Sequence, residues 1–239
     1  PKLHVTAAKN ARAVALICLT EVSAMRSVRI WFSKTGTAKY ISHLDLTRCL
    51  IRTFRRTTVP LWYTEGFNPR PHLVFGLSLP LGVEGLCEAF DIRLDDDSYK
   101  DDEVLSQLKS ATVPGIEFLK VTSPEFKPLD IAFADYVIKA PAVALNIVKE
   151  KLSSGNVLIE KKNKKKEIKT INVCDYISNA DFKTEGDKLE FYFRLPAGND
   201  FTINPVLFCG SLFENTSVDP HMCLIKRLGL FIKDGTEYR

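Results

Sequence analysis

Val28-Arg29-Ile30-Trp31-Phe32 alternates along the chain, Ser33-Lys34-Thr35-Gly36-Thr37 breaks the alternation, and Ser42-His43-Leu44-Asp45-Leu46 opens a different rhythm. A period of two places Val28, Ile30 and Phe32 on one face of a strand, with Arg29 and Trp31 on the other. Ser42 with Asp45 three residues on resembles a capping box in which Asp replaces the usual Glu. The helix predicted from there to about Thr57 has a core stripe of Leu46, Leu50 and Phe54, with Arg48, Arg52, Arg55 and Arg56 opposite. Two further strands are expected at 72–79 and 87–94. Leu73, Phe75, Leu77 and Leu79 face one way there, joined by Phe90, Ile92 and Leu94. A helix over 101–110 follows Asp95-Asp96-Asp97, and a strand at 116–122 closes the unit. The order strand–helix–strand–strand–helix–strand is ferredoxin-like.

Pro124, Lys127 and Pro128 mark a boundary. Beyond it the same order is expected again. A strand at 134–140 leads to a helix at 142–152, with Pro141 as its first-turn cue. Strands near 156–161 and 166–172 are joined by a turn holding Lys161, Lys162, Lys164, Lys165 and Lys166. Strands near 180–184 and 189–195, a helix from Asn204 to Glu214 and a strand at 223–232 follow. The fold class is therefore α+β, two tandem ferredoxin-like (βαββαβ) halves with antiparallel sheets, spanning 25–125 and 126–239. The halves share no residue-level repeat. Residues 1–24 read as a leader or added segment, because Met25 stands directly before the first strand and Glu21 spoils a signal-cleavage site.

The composition of the 239 residues, 45% hydrophobic and 26% charged, is that of an ordinary globular chain. The net charge of +4 permits an anionic partner without requiring one. Six cysteines, at 18, 49, 87, 174, 209 and 223, form no C-x-x-C pair and read as reduced thiols of a cytoplasmic protein. The longest apolar stretch, Ala13 to Leu19, is far below the ~20 residues that span a bilayer, so no membrane role is expected. No metal site is expected either, since His221 and Cys223 have no matching second pair.

Candidate functional residues crowd between 39 and 72. His43 is either a structural histidine or a general base, since an imidazole titrates near neutral pH. Asp45 reads as a cap, paired with Arg48. The arginine stripe is either a solvated face or a phosphate grip. Gly66-Phe67-Asn68-Pro69-Arg70-Pro71 combines residues that tolerate left-handed backbone with two prolines that stiffen it. It is either a connector or a rigid loop that presents a cation and an aromatic. The second sheet face carries Arg29, Trp31, His72, Asp91 and Arg93. That face is either open for stacking single-stranded RNA, or covered by the second half with Trp31 as its anchor. The lysine turn reads as a solvated hairpin tip or a salt-sensitive contact with nucleic acid.

Three of these segments together resemble a known family. They are Tyr40-Ile41-Ser42-His43-Leu44-Asp45-Leu46, Gly66-Phe67-Asn68-Pro69 and Leu79-Pro80-Leu81-Gly82-Val83-Glu84. The resemblance is to the radical SAM-linked protein family, a bacterial domain of unknown function (DUF2344), and covers roughly Met25 onward. It implies a domain that accompanies a radical SAM module, fused to it or as a separate protein, with an RNA-related task. The family loop reads Asn-Pro-His-Pro, whereas Arg70 stands here at the histidine position, so a metal or proton-transfer role there is in doubt. The chain has no C-x3-C-x2-C run to hold a radical SAM cluster. It is therefore expected to carry no cofactor and to be a non-catalytic accessory of a radical SAM enzyme in a separate chain.

In that role Lys39, Arg48, Arg52 and Arg70 grip phosphate of RNA (tRNA or rRNA) or another anion. Trp31 and Phe67 stack, Tyr40 and His43 position the target, and Asn68 and His72 complete the surface. Two alternatives stand beside it. One is a metal-independent RNA endonuclease with His43 as general base, ranked lower because no glycine-rich RNA loop lies near the C-terminus. The other is a scaffold that binds only protein.

Overall fold

The alternation at 28–32 lengthens at both ends into β1 (Arg26–Lys34). A computed structural model describes residues 25–162, 168–198 and 200–239 of the chain, so the expected leader and most of the lysine turn lie outside the described residues. Ser42 caps α1 (His43–Phe54) as its sequence demands. Its Oγ accepts from the Asp45 amide at 3.2 Å and donates to the Asp45 carboxylate at 2.8 Å. The helix buries Leu46, Leu50, Thr53 and Phe54 and ends three residues earlier than expected. There Arg56 and Thr57 turn back onto the carbonyls of Thr53 and Phe54.

The rest of the first half is β2 (Leu73–Phe75), β3 (Glu84–Leu94), α2 (Asp101–Ser110) and β4 (Ile116–Thr122). The strand expected over 72–79 stops after Phe75. Gly76 donates to Ala89 O at 2.9 Å, and beyond that point β3 pairs with a strand from the far end of the chain. Leu73 and Phe75 pack under α1, whereas Leu77 and Leu79 join the other core, so these four residues do not share a face.

The second half contains β5 (Ile131–Pro141), α3 (Ala144–Ser153), a separate hairpin of β6 (Leu158–Lys162) and β7 (Ile168–Asn172), β8 (Ser178–Glu185), β9 (Lys188–Pro196), α4 (Pro205–Phe213) and β10 (Leu224–Ile232). The fold is mixed α+β, with four α-helices among the described residues and a mostly antiparallel sheet ordered β4-β1-β3-β10-β5-β9-β8. β2 lies on β3 beside that path. Contrary to the expectation of two sheets, one continuous sheet runs through both halves.

The joint is a short parallel contact, Lys226 opposite Glu84 and Arg227 opposite Gly85. Charges rather than apolar surface stand there. Lys226 pairs with Glu84 at 3.0 Å, and Arg227 Nε donates to Glu88 Oε1 at 2.8 Å. Arg227 also donates to the carbonyls of Leu77 and Ser78. Arg227 is 1% exposed and Glu88 2%. Burial alone would depress the Arg227 pKa, but the charge and hydrogen bonds of Glu88, aided by Tyr136, raise it. Gly85 is required beside this pair, because a Cβ there would stand 2.5 Å from Glu88 side-chain atoms.

Removing one member of a buried pair leaves an uncompensated charge, so Arg227→Met is expected to cost about 3–5 kcal/mol. Urea denaturation checks this, and the double variant Arg227→Met/Glu88→Leu should recover much of the loss. A single variant as stable as the wild type would contradict the reading.

Candidate functional site

The loop between α1 and β2 folds back as a hairpin pinned to the edge of β3. Trp62 N donates to Arg93 O at 2.9 Å, and His72 N donates to Trp62 O at 3.2 Å. Leu61 bridges Leu94, and Tyr63 bridges Pro71. The tip closes on itself, with Thr64 N donating to Arg70 O at 2.8 Å and Arg70 N to Thr64 Oγ1 at 3.1 Å. Gly66 turns it with φ of +126°, a backbone region that residues with a Cβ avoid. Phe67 at this tip is 103% exposed, and Asn68 and Arg70 beside it are exposed as well.

At the hairpin base the Trp62 ring meets His72 edge-on at 6.0 Å, and the Arg93 guanidinium lies 5.4 Å from its centre. A bare aromatic, two arginines, a histidine and an indole thus share one backbone-braced projection.

A second group surrounds the start of α1. The Lys39 ammonium lies 5.2 Å from the centre of the Tyr40 ring, which is 67% exposed. Lys34, 1% exposed, donates from Nζ to Ile41 O at 2.8 Å and fixes this segment from below. Burial lowers the Lys34 pKa, Glu88 opposes that shift and Arg227 adds to it. His43 packs edge-on against Phe75 at 4.6 Å. Gly82 N donates to Lys39 O at 2.9 Å, so the Leu79–Glu84 segment is held directly beside the start of the Tyr40–Leu46 segment.

The ten expected site residues do not converge. Phe67, Asn68, Arg70 and His72 belong to the hairpin. Lys39, Tyr40 and His43 stand at the start of α1. Arg48, paired with Asp45 at 3.1 Å, and Arg52 lie exposed along that helix. Arg56 departs from the stripe, since it donates to Ala111 O. Trp31 does not serve an open stacking face. It is 3% exposed, its Nε1 donates to Thr122 Oγ1 at 3.0 Å, and Tyr238 packs on it at 6.2 Å. Arg29 is likewise sealed in, forked onto Asp91 and donating to Phe126 O and Arg239 O. The C-terminal segment and the linker cover the middle of that face, while His72 and Arg93 at its edge stay at least partly accessible.

Trp62 and Lys34 were missed. Trp62 shows only as an aromatic between Pro60 and Gly66. Lys34 reads as a loop lysine, because nothing local tells that it will be buried. No three His, Cys, Asp or Glu side chains among the described residues gather as a metal would need, and no described helix is long and apolar enough to cross a membrane.

The family model for an uncharacterized protein conserved in bacteria (DUF2344) matches residues 27–205. The chain belongs to this family. No curated protein matches it. Among solved structures, a chain of a Cbf5-Nop10-Gar1 complex is 13% identical with a TM-score of 0.44, over 85% of this chain and 48% of that one. This DUF2344 chain therefore spans about half the length of that protein. An unknown protein from Galdieria sulphuraria is 10% identical with a TM-score of 0.25, over 86% and 99% of the two chains.

Both imidazoles of this DUF2344 site are held below their ordinary pKa of 6.5. Burial and then Lys34 lower His43; burial and then Arg93 lower His72, against the opposing pull of Asp91. Below pH 6.5 and down to the folded values, the unfolded chain binds more protons, so stability falls as pH falls through that window. NMR titration should place both midpoints below 6.5, and Lys34→Met should move that of His43 upward. Midpoints above 6.5 would contradict the assignment of causes.

Proposed function

We propose that the chain is a non-catalytic module that holds RNA, tRNA or rRNA in the first instance, for a radical SAM enzyme in another chain. The hairpin carries this reading. An aromatic ring with nothing packed on it, at the tip of a loop that two internal hydrogen bonds keep rigid, is positioned to stack on an unpaired base. Arg70 beside it and Arg93 with Trp62 and His72 behind it supply cations and further ring surface for the neighbouring nucleotides. Arg52 and Arg55 have no side-chain hydrogen bond or ion pair among the described residues, and are disposed to reach phosphate.

The radical SAM association rests on the resemblance of the three signature segments. We read the fold as two tandem ferredoxin-like halves, supported by matching strand orders: β4-β1-β3-β2 in the first, β10-β5-β9-β8 in the second with β6–β7 inserted. A cytoplasmic location suits five described cysteines that are all free thiols.

Fluorescence anisotropy against total tRNA and an rRNA fragment, at two salt concentrations, tests the proposal. Stacking contributes ~1–3 kcal/mol per base, so Phe67→Ala should weaken binding by roughly 5- to 150-fold. Arg70→Glu, and separately Arg52→Glu with Arg55→Glu, should also reduce the salt slope by about one for each phosphate that is no longer neutralised. Absence of binding at low salt, or affinity indifferent to Phe67 and Arg70, would overturn the reading.

His43, exposed and neutral near pH 7, keeps an endonuclease reading in view. His43→Ala should leave RNA affinity essentially unchanged, and RNA incubated with the wild-type protein should stay intact. Cleavage that His43→Ala abolishes would favour the enzyme.

A further inference from the structure

A cleft of about 320 Å³ opens between the two halves, and no residue of the hairpin lines it. Lys39 and Tyr40 form one wall, Leu81 another, Val206 of α4 a third, and His221 and Cys223 the fourth. Main-chain bonds fix these walls. Gly82 N holds Lys39 O, the His221 amide donates to Asp219 Oδ1 at 2.9 Å, and the Cys223 amide donates to Pro220 O at 3.2 Å. The site is therefore formed before anything binds. Its volume lies at the low end of the ~300–1,000 Å³ usual for small-molecule sites, which fits one small planar ligand and excludes a helix or a duplex.

Its chemistry narrows the ligand further. Polar and apolar surface contribute about equally to the walls, and no carboxylate is among the lining residues. The single cation, Lys39, stands next to the exposed ring of Tyr40. That pairing suits a planar heteroaromatic ring carrying an anionic group, the ring against Tyr40 and Leu81 and the anion toward Lys39. His221 also lines the cleft, and an imidazole can donate to or accept from the edge of a base.

We infer that this cleft binds a single nucleotide unit of the RNA. The inference rests on the RNA-binding reading proposed above, but the cleft and the hairpin are separate surfaces, so each can fail alone.

Cys223 supplies the readout, because this half-buried residue lines the cleft and a ligand there would hinder reagent access to it. The full chain is alkylated with iodoacetamide alone, with AMP, GMP, CMP or UMP, and with the RNA of the anisotropy assay. Peptide mass spectrometry follows Cys223, with Cys174 as internal control. At about ten times its Kd, a nucleotide that occupies the cleft should slow Cys223 alkylation about tenfold. RNA should do the same, with Cys174 unaffected. Leu81 is 60% exposed, so Leu81→Trp should fold, fill the cleft and abolish the protection while Phe67-dependent RNA affinity persists. Tyr40→Leu serves as a second variant, expected to weaken protection without blocking the cleft.

RNA binding without protection of Cys223, or protection that Leu81→Trp and Tyr40→Leu leave intact, overturns the cleft and spares the hairpin. Protection by mononucleotides without RNA binding spares the cleft and overturns the hairpin reading. Neither binding nor protection removes both.

Discussion

Arg227 and Glu88 meet where a strand from the end of the chain runs parallel to one from the first half, and both are almost wholly out of water. Ions taken from water cost several kcal/mol each unless geometry restores what the water supplied. Here the guanidinium forks onto the carboxylate and donates two further hydrogens to the Leu77 and Ser78 carbonyls. The bonds to Leu77 and Ser78 fix the segment leading to Leu81 and Gly82. Gly82 in turn holds Lys39, and Lys34 supports the same stretch from beneath. The joint between the halves therefore also sets the position of the cleft walls and of the start of α1.

A different constraint governs the hairpin. Nothing covers its tip, and its order comes from backbone pairing with the β3 edge and from the reciprocal Thr64–Arg70 bonds. A side chain as apolar as Phe67 loses by standing bare in water, and its placement on a braced loop rather than a loose one makes it suited to a partner that meets it as a flat surface. The two surfaces differ in kind: one presents a bare ring and positive charge, and the other encloses a small volume beside Lys39.

Much of this was legible in local pattern. The Ser42 cap, the Leu46–Leu50–Phe54 stripe, α2 and β4 were all readable, because caps and periodicity are properties of neighbouring residues. Gly66 through Arg70 announced a rigid exposed loop for the same reason. The misreadings share a cause, which is sequence distance. Arg227 and Glu88 lie 139 residues apart, and that contact decides where β2 must end. Alternation put Arg29 and Trp31 on one face, but a period of two does not say what lies over it; the tail around Tyr238 does. Lys34 looked like a solvated loop lysine, but its ammonium is turned inward onto the Ile41 carbonyl. The ten proposed site residues were close in sequence without being one site, since α1 separates its own start from the hairpin.

The measurement that bears most directly on RNA binding by the hairpin is ultraviolet crosslinking of the protein to bound tRNA or rRNA fragment, with the crosslinked peptides mapped by mass spectrometry. Adducts should concentrate between Trp62 and His72, with Phe67 foremost, and should disappear in Phe67→Ala. Adducts confined to the second half, or none under conditions where binding is measured, would contradict the hairpin's role.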